Sequence, residues 1–85
     1  MIEEQVGEVV KFFAKPSVAA IKVTGGVVAV GDRIKFKGHT TDFEDTISSM
    51  QIENKSVEKA AAGDLIGIQV KDKVREGDAV FKLVD

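Results

Sequence analysis

The chain has 85 residues and a mass of 9.1 kDa, which allows one small domain and excludes a second core. It contains no cysteine, so neither a disulfide framework nor a thiolate metal site can stabilise it. The formal net charge of −2 at pH 7 excludes a strongly basic nucleic-acid binder on bulk charge alone.

The apolar composition predicts a sheet protein. Valine and isoleucine total 20 residues against two leucines, and β-branched side chains fit a pleated sheet better than a helical core. No apolar run reaches the roughly 18 residues of a membrane helix, and no signal-peptide pattern is present. We therefore predict an all-β protein of the cytoplasm that does not contact a membrane.

Breaker residues divide the first half of the chain into short runs. Alternate residues from Ala19 to Val23 are apolar and share one face, and Thr24-Gly25-Gly26 predicts a tight turn after them. The cleanest alternation surrounds Ile34 and Phe36, which point inward between basic residues. The first run has apolar groups on both faces, so its phase is ambiguous. The predicted strands cover residues 5–14, 18–23 and 33–37, and residues 27–30 form a short apolar bridge between the last two.

The longest run of the second half contains a fault in its alternation. Phe43 and Ile47 are in phase, whereas Met50 and Ile52 have the opposite parity. Both pairs can face one core only if the strand slips by one residue, so we predict a β-bulge or sharp bend near Ser48-Ser49. The predicted runs cover residues 43–53, 65–70 and 79–84, and residues 56–63 form a short strand leading into a turn, with one helical turn as the alternative.

A Gly-Asp pair recurs three times, each time just before a strand-like apolar residue. The pairs are Gly31-Asp32, Gly63-Asp64 and Gly77-Asp78. Glycine supplies the turn, and aspartate can accept hydrogen bonds from nearby backbone N–H groups. These features predict three structural turns; the alternative is that the three aspartates converge on a metal ion.

Three passages stand in order along the chain: VVAVGDRI at 27–34, SMQI at 49–52 with AAAGDLIGI at 60–68, and VREGDAV at 74–80. This ordered set, which covers about residues 5–84, resembles the second domain of translational GTPases such as elongation factor Tu. The resemblance implies a small closed six-stranded Greek-key β-barrel of the translation-protein type, occupying residues 1–85 as a single domain. A small closed barrel has few open strand edges, which favours a monomer.

The stretch KGHTTDF at 37–43 and MQIE at 50–53 give a closer resemblance, to stand-alone proteins of the translation elongation factor-like group. The C-terminal domain of collagenase-like peptidase relatives that act in tRNA modification is similar as well. These resemblances imply a partner that is tRNA, ribosomal RNA, or a protein of translation or tRNA modification. The chain lacks the Gly-x-x-x-x-Gly-Lys-[Ser/Thr] phosphate loop, so GTP hydrolysis is excluded.

We therefore predict a non-enzymatic binding module with no catalytic residue, cofactor or metal ion. The alternative is a structural, protein-interaction barrel that docks on an enzyme without touching RNA. The distribution of charge bears on this choice: residues 11–39 contain six basic residues and one acidic, whereas residues 42–64 contain six acidic and two basic. The candidates for RNA contact are Arg33, Lys35, Lys37, His39, Lys11, Lys22, Lys71, Lys73 and Arg75.

The third strand carries the central candidates. Arg33, Lys35 and Lys37 project from one face at a spacing of about 6.6 Å, comparable to the phosphate spacing of an extended single strand. The alternative is an ordinary solvated strand face. A continuous positive surface joining them to the other cations would favour RNA contact, whereas interleaved acidic residues from 42–64 would oppose it.

Two single residues allow other chemistry. His39, the only histidine, lies in a predicted loop beside Thr40, Thr41 and Asp42. A catalytic role or a zinc site with nearby carboxylates are alternatives to a polar contact or a plain surface turn. Lys73 superficially resembles the modified lysine of lipoyl and biotinyl domains. That lysine should lie on an exposed hairpin near the middle of the chain, whereas Lys73 lies near its end.

Overall fold

The computed structural model describes residues 2–84, within which the chain forms ten strands and no helix. The strands are β1 (Ile2–Phe13), β2 (Val18–Val23), β3 (Val27–Ala29), β4 (Arg33–Lys37), β5 (Asp42–Thr46), β6 (Met50–Ile52), β7 (Lys55–Ser56), β8 (Lys59–Ala61), β9 (Leu65–Gln69) and β10 (Ala79–Val84). Met1 and Asp85, the ends of the predicted domain, lie outside the described residues. No helix in residues 2–84 is long and apolar enough to cross a membrane.

Eight strands form one antiparallel sheet in the order β5-β4-β10-β1-β2-β9-β6-β7, and β3 pairs with β8 as a separate two-stranded sheet. The predicted all-β fold is confirmed. The structure has ten strands rather than the predicted six, because turns and breaks divide the second half into short pieces. In the described part of the chain the large sheet ends at β5 and β7, so closure into a barrel stays a prediction.

Two register shifts in β1 explain why its phase is ambiguous in the sequence. The pairing with β10 shifts between Gln5 and Gly7, and the pairing with β2 shifts between Val9 and Lys11. Each shift inserts one extra residue, so side chains of both parities reach the core. Val6 and Val9 are accordingly both buried although they differ in parity.

The predicted long strand at 43–53 is wrong, but the position of its fault is confirmed. The chain leaves the ladder after Thr46 and re-enters it at Met50, giving β5 and β6. Between them, the Ile47 N–H donates to the carbonyl of Asp32 at 3.0 Å, and the Ile47 carbonyl accepts from Gly31 at 2.8 Å. This detour lets Ile47 and Met50 both face the core at 1% exposure.

The segment 56–63 forms short strands and a turn, as predicted. Its backbone groups form strand ladders, because β7 pairs with β6 and β8 pairs with β3. The alternative of a helical turn is wrong for the same reason, since those backbone groups are already used by the two ladders.

Within residues 2–84 the core is aliphatic with a single fully buried aromatic ring, and both sheets contribute to it. Phe36 of β4 is 0% exposed, and its ring centroid lies 5.1 Å from that of the half-buried Phe43 on β5. Val28 and Ala60 of the small sheet belong to the same buried cluster as the residues of the large sheet. The two sheets therefore enclose one core.

The three Gly-Asp turns share one geometry. In each, the aspartate Oδ2 accepts a hydrogen bond from the backbone N–H three residues earlier, at 2.8 or 2.9 Å. The aspartate N–H donates to the carbonyl of that same residue at 3.0 or 3.1 Å. The glycines have φ between 90° and 99°, which L side chains rarely adopt. The predicted turns are confirmed for Ala29–Asp32, Ala61–Asp64 and Arg75–Asp78.

The alternative that these aspartates converge on a metal ion gains no support, because each carboxylate accepts a hydrogen bond within its own turn. Among residues 2–84 no group of three or more His, Asp and Glu side chains could hold a metal ion. The carboxylates therefore act as strand-start caps.

We expect Asp64→Ala to lower the free energy of unfolding by about 1 kcal/mol, because the Ala61 N–H loses its acceptor. Asp64→Asn should cost less, since the amide oxygen can still accept that bond. Urea denaturation monitored by circular dichroism measures both. Equal losses for the two variants, or no loss for either, would contradict the assigned role of the carboxylate.

Candidate functional site

The predicted basic strand is β4, and its three cations do share the outer face. Ile34 and Phe36 are buried between them, which fixes Arg33, Lys35 and Lys37 on the opposite side. β4 lies between β10 and β5, so residues from both neighbours flank these side chains.

Acidic side chains neutralise this face. The Arg33 Nη2 lies 2.8 Å from Glu44 Oε1 on β5. The Lys35 Nζ reaches across β10 to Glu3 Oε2 on β1 at 3.3 Å and lies 4.0 Å from Asp42 Oδ1. The hydrogen bond and charge of Glu3 raise the pKa of Lys35 above its usual range. Interleaved acidic residues are the outcome that opposes RNA contact at this strand.

Charges also alternate along the row that leads away from β4. The register places one outer row across six strands, in the order Asp42, Lys37, Ala79, Glu8, Lys22 and Leu65. Lys22 is therefore separated from Lys37 by Glu8 and a small apolar residue. The structure brings these predicted cations to one sheet face but not into a continuous positive surface.

The second basic group lies in the loop between β9 and β10. Lys73 and Arg75 line a cleft of about 310 Å³ together with Thr40, Thr41, Asp42, Phe43 and Asp72. Lys71 lies instead beside Arg33, in a second cleft of about 210 Å³ that Glu44, Asp45 and Thr46 complete. The two basic groups thus approach each other only where carboxylates stand between them.

His39 lies on the exposed loop between β4 and β5, where the Gly38 N–H donates to the Thr41 carbonyl at 2.7 Å. Thr41 is buried by this turn, while His39 faces outward. The predicted surface loop is confirmed. The described residues around His39 include no group of three or more His, Asp and Glu side chains that could hold a metal ion, which gives the zinc alternative no support.

An apolar groove on the other half of the large sheet was missed by the sequence reasoning. Phe13 and Leu65 line this groove and remain 44% and 56% exposed. Lys11, a predicted RNA contact, has its Nζ 5.2 Å from the centroid of the Phe13 ring. The sequence feature that could have indicated this groove is Gly67, which lies between the buried Ile66 and Ile68 on β9 and faces the other side of the sheet.

Comparison with known families gives one match over nearly the whole chain. The family described as elongation factor Tu domain 4 matches residues 2–82. The resemblance to elongation factor Tu is thereby supported, with domain 4 in place of the second domain that the sequence motifs pointed to.

The curated relatives are much longer proteins. The chain is 41% identical over 80 residues to an uncharacterized protease of Methanocaldococcus jannaschii, covering 93% of this chain and 19% of that protein. It is 35% identical over 78 residues to a collagenase of Porphyromonas gingivalis, covering 91% of this chain and 22% of that protein. The chain thus spans about a fifth of the length of these relatives.

Two solved structures share the fold. The C-terminal domain of a Geobacillus thermoleovorans protein assigned to the U32 peptidases superposes with a TM-score of 0.88 at 18% identity, covering 95% of this chain and 93% of that one. GDP-bound aIF5B from Aeropyrum pernix superposes with a TM-score of 0.67 at 18% identity, covering 98% of this chain and 14% of that one. At this identity the likeness concerns the fold alone.

We expect Glu3→Gln to lower the pKa of Lys35 toward its ordinary value, because Glu3 is the main cause of its rise. A raised pKa in the folded state stabilises the fold below the unfolded pKa, and this contribution is lost as pH rises through the folded one. NMR titration of the Lys35 ε-carbon measures the change. Glu4→Gln is the matched control, and an equal shift in both variants would refute the pairing.

Proposed function

The chain belongs to the elongation factor Tu domain 4 family, and from that premise we propose that it is a non-enzymatic binding module that docks on a protein of the U32-peptidase type. The proposal is supported by curated relatives that carry the names of proteases and are about five times as long. In proteins of that length most of the chain lies outside the matched segment, which leaves room for a separate catalytic part.

The neutralised outer face of β4 is the observation that favours docking on a protein rather than contact with RNA. Three cations there, Arg33, Lys35 and Lys37, stand among Glu3, Asp42 and Glu44. A phosphate backbone approaching this strand would meet as many negative as positive side chains. Because non-specific RNA affinity comes from released counterions, a face without excess positive charge gains little from a polyanion.

A non-enzymatic role agrees with the chemistry of the surface. Acid–base or nucleophilic catalysis needs a group held near a nucleophile and an orienting partner. His39, the one histidine of the chain, sits on an exposed loop. The carboxylates of Asp32, Asp64 and Asp78 are engaged by their own turns.

We also propose that the chain folds alone and that its sheets close as a Greek-key barrel. The support is the single core shared by both sheets and the backbone bonds that join Gly31 and Asp32 to Ile47. The Geobacillus thermoleovorans domain, which this chain covers over 93% of its length, was crystallised as a C-terminal domain. The monomeric state, the cytoplasmic location, and the absence of a membrane partner and a cofactor remain proposals of the same kind.

RNA contact is the second candidate, and the cleft at Lys73 and Arg75 favours it. Two cations and the hydroxyl-bearing residues Thr40 and Thr41 line this cleft, and such groups commonly contact phosphate. Asp42 and Asp72 line it as well and offset the positive charge. Lys11, Lys22, Lys71 and His39 would then contribute at the margin.

Docking predicts that this chain can replace the matching segment of the Porphyromonas gingivalis collagenase. We expect deletion of that segment to impair collagen cleavage, and the chimera to restore it by at least about tenfold, or 1.4 kcal/mol. Steady-state kinetics on collagen measure both proteins.

The control is a chimera that carries an unrelated small β-domain of similar length. If the two chimeras are equally active, the segment is only a spacer, and the docking proposal fails.

RNA binding is tested with tRNA and ribosomes across a salt series. Docking predicts negligible affinity at about 50 mM salt for the natural chain, and no effect of the double variant Arg33→Glu, Lys35→Glu. The triple variant Glu3→Gln, Asp42→Asn, Glu44→Gln should gain RNA affinity, because it uncovers the cations of β4.

A salt-sensitive affinity of the natural chain that is lost in Lys73→Glu, Arg75→Glu would establish the second candidate instead. Far-ultraviolet circular dichroism confirms that each variant keeps its fold. Exposed ion pairs contribute only about 0–1 kcal/mol each, so we expect these variants to fold.

A further inference from the structure

We propose that the apolar groove on the outer face of the large sheet binds an aromatic side chain of a partner polypeptide, beside a basic residue of that partner. The inference rests on the proposed docking function and names its surface and chemistry. The groove encloses about 310 Å³ and is lined by Phe13, Val18, Ala20, Gln51, Glu53, Asn54, Leu65, Ile66 and Gly67.

The floor of the groove is made by residues with minimal side chains. One outer row crosses four strands in register, in the order Lys11, Ala20, Gly67 and Gln51. Ala20 and Gly67 thus lie side by side in the middle of the sheet, where larger neighbours would close the surface. Phe13 and Leu65 project beside this low floor, which turns a flat sheet face into a groove.

The backbone does not require glycine at position 67. Its φ lies outside the left-handed region, and an added Cβ would meet only Val18 Cγ1, at an ordinary contact distance of 3.6 Å. Gly7 shows the opposite case, since a Cβ there would lie 2.6 Å from the Lys22 carbonyl oxygen. Glycine weakens a strand interior and often marks close approach by a ligand or another chain. The bare backbone of Gly67 therefore points to an occupant.

The turn between β6 and β7 gives an independent observation at the same place. Glu53 and Asn54 both have left-handed backbone, with φ of 51° and 64°. Asparagine tolerates this conformation, whereas glutamate is unfavourable there and glycine or asparagine would be the residues expected in such a hairpin. Strain of this kind is concentrated at binding sites. Glu53 lines the groove, so the strained turn holds a carboxylate beside the apolar floor.

The charge of the lining selects the occupant. Glu53 is the only ionised residue among the nine that line the groove, and it lies beyond the β6 end of the floor row, whereas Lys11 lies at the β1 end beside Phe13. Glu53 therefore favours a cation at its own end of the groove, away from Lys11. An aromatic ring can pack against Phe13 and cover Gly67, because rings favour offset or edge contacts with each other and cover bare glycines in sheets. A nucleotide would have to place its phosphate at the Lys11 end, because Glu53 repels it at the other, and the Lys11 ammonium already lies 5.2 Å from the Phe13 ring centroid, which makes a nucleotide the less favourable occupant.

The groove is tested by ¹⁵N NMR titration of the full chain with blocked peptides. The probe acetyl-Gly-Phe-Arg-Gly-amide should shift the backbone amides of Phe13, Leu65 and Gly67, at the millimolar affinity expected for a single anchoring side chain. The peptide with Ala in place of Phe should bind at least about tenfold more weakly. The peptide with Glu in place of Arg should bind about threefold more weakly.

Variants separate the groove from the rest of the sheet. Gly67→Val should abolish the shifts, because its methyl groups fill the floor, and Glu53→Gln should remove the preference for Arg over Glu in the peptide. Ala79→Val is the matched control, because it adds the same side chain to the outer row on the other side of β1, and it should bind like the natural chain. Phe13→Ala is a second test if Gly67→Val does not fold, and it should weaken binding at least about tenfold.

Three results would overturn the proposal. One is the absence of shifts at these amides with millimolar Phe-Arg peptide. Another is a stronger response to adenosine monophosphate than to the peptide, which would assign the groove to a nucleotide. The last is a shift at these amides on raising the protein concentration alone, which would assign it to a second copy. A working collagenase chimera with an unresponsive groove would leave docking standing, whereas a responsive groove with an inactive chimera would refute docking on the enzyme.

Discussion

The two-residue alternation of a β-strand is the constraint on which this structure depends. A strand offers every second side chain to the core, and a chain of 85 residues without cysteine has few strands with which to surround one. β1 meets this constraint by inserting an extra residue twice. The detour at Ile47 meets it by leaving the ladder, so that Ile47 and Met50 can face the same interior. Each irregularity adds apolar area to the core that a regular strand would have exposed.

The local sequence pattern was sufficient to predict the bounds of a strand wherever that strand is regular. The bounds of β2, β4 and β10 agree with the runs read from the sequence, and the Gly-Asp turns follow from the side-chain chemistry of two adjacent residues. The bulges could not be placed in β1, because a run with apolar groups of both parities is compatible with several registers. The predicted number of strands was wrong for a related reason, since a strand of two residues such as β7 has almost no periodic pattern.

The character of the surface depended on contacts between distant parts of the chain. The basic pattern on β4 was real, but its neutralisation requires Glu3, which precedes Lys35 by 32 residues and lies two strands away. The exposure of Phe13 likewise depends on the second bulge of β1, which the sequence does not locate. Side-chain type therefore indicated which residues carry charge or apolar area, and only the strand order showed what surrounds them.

β1 divides the outer face of the large sheet into two surfaces of different chemistry. On one side, β10, β4 and β5 carry paired charges that cancel within a few ångströms. On the other, β2, β9 and β6 carry the groove with its bare Gly67 and its strained Glu53. Paired charges keep a surface hydrated and offer little to a polyanion, whereas the exposed hydrocarbon of the groove gains from being covered by a partner. A shared fold leaves function to its surface, and the groove side of β1 is where exposed Phe13 and Leu65, the bare Gly67 and the strained Glu53 come together.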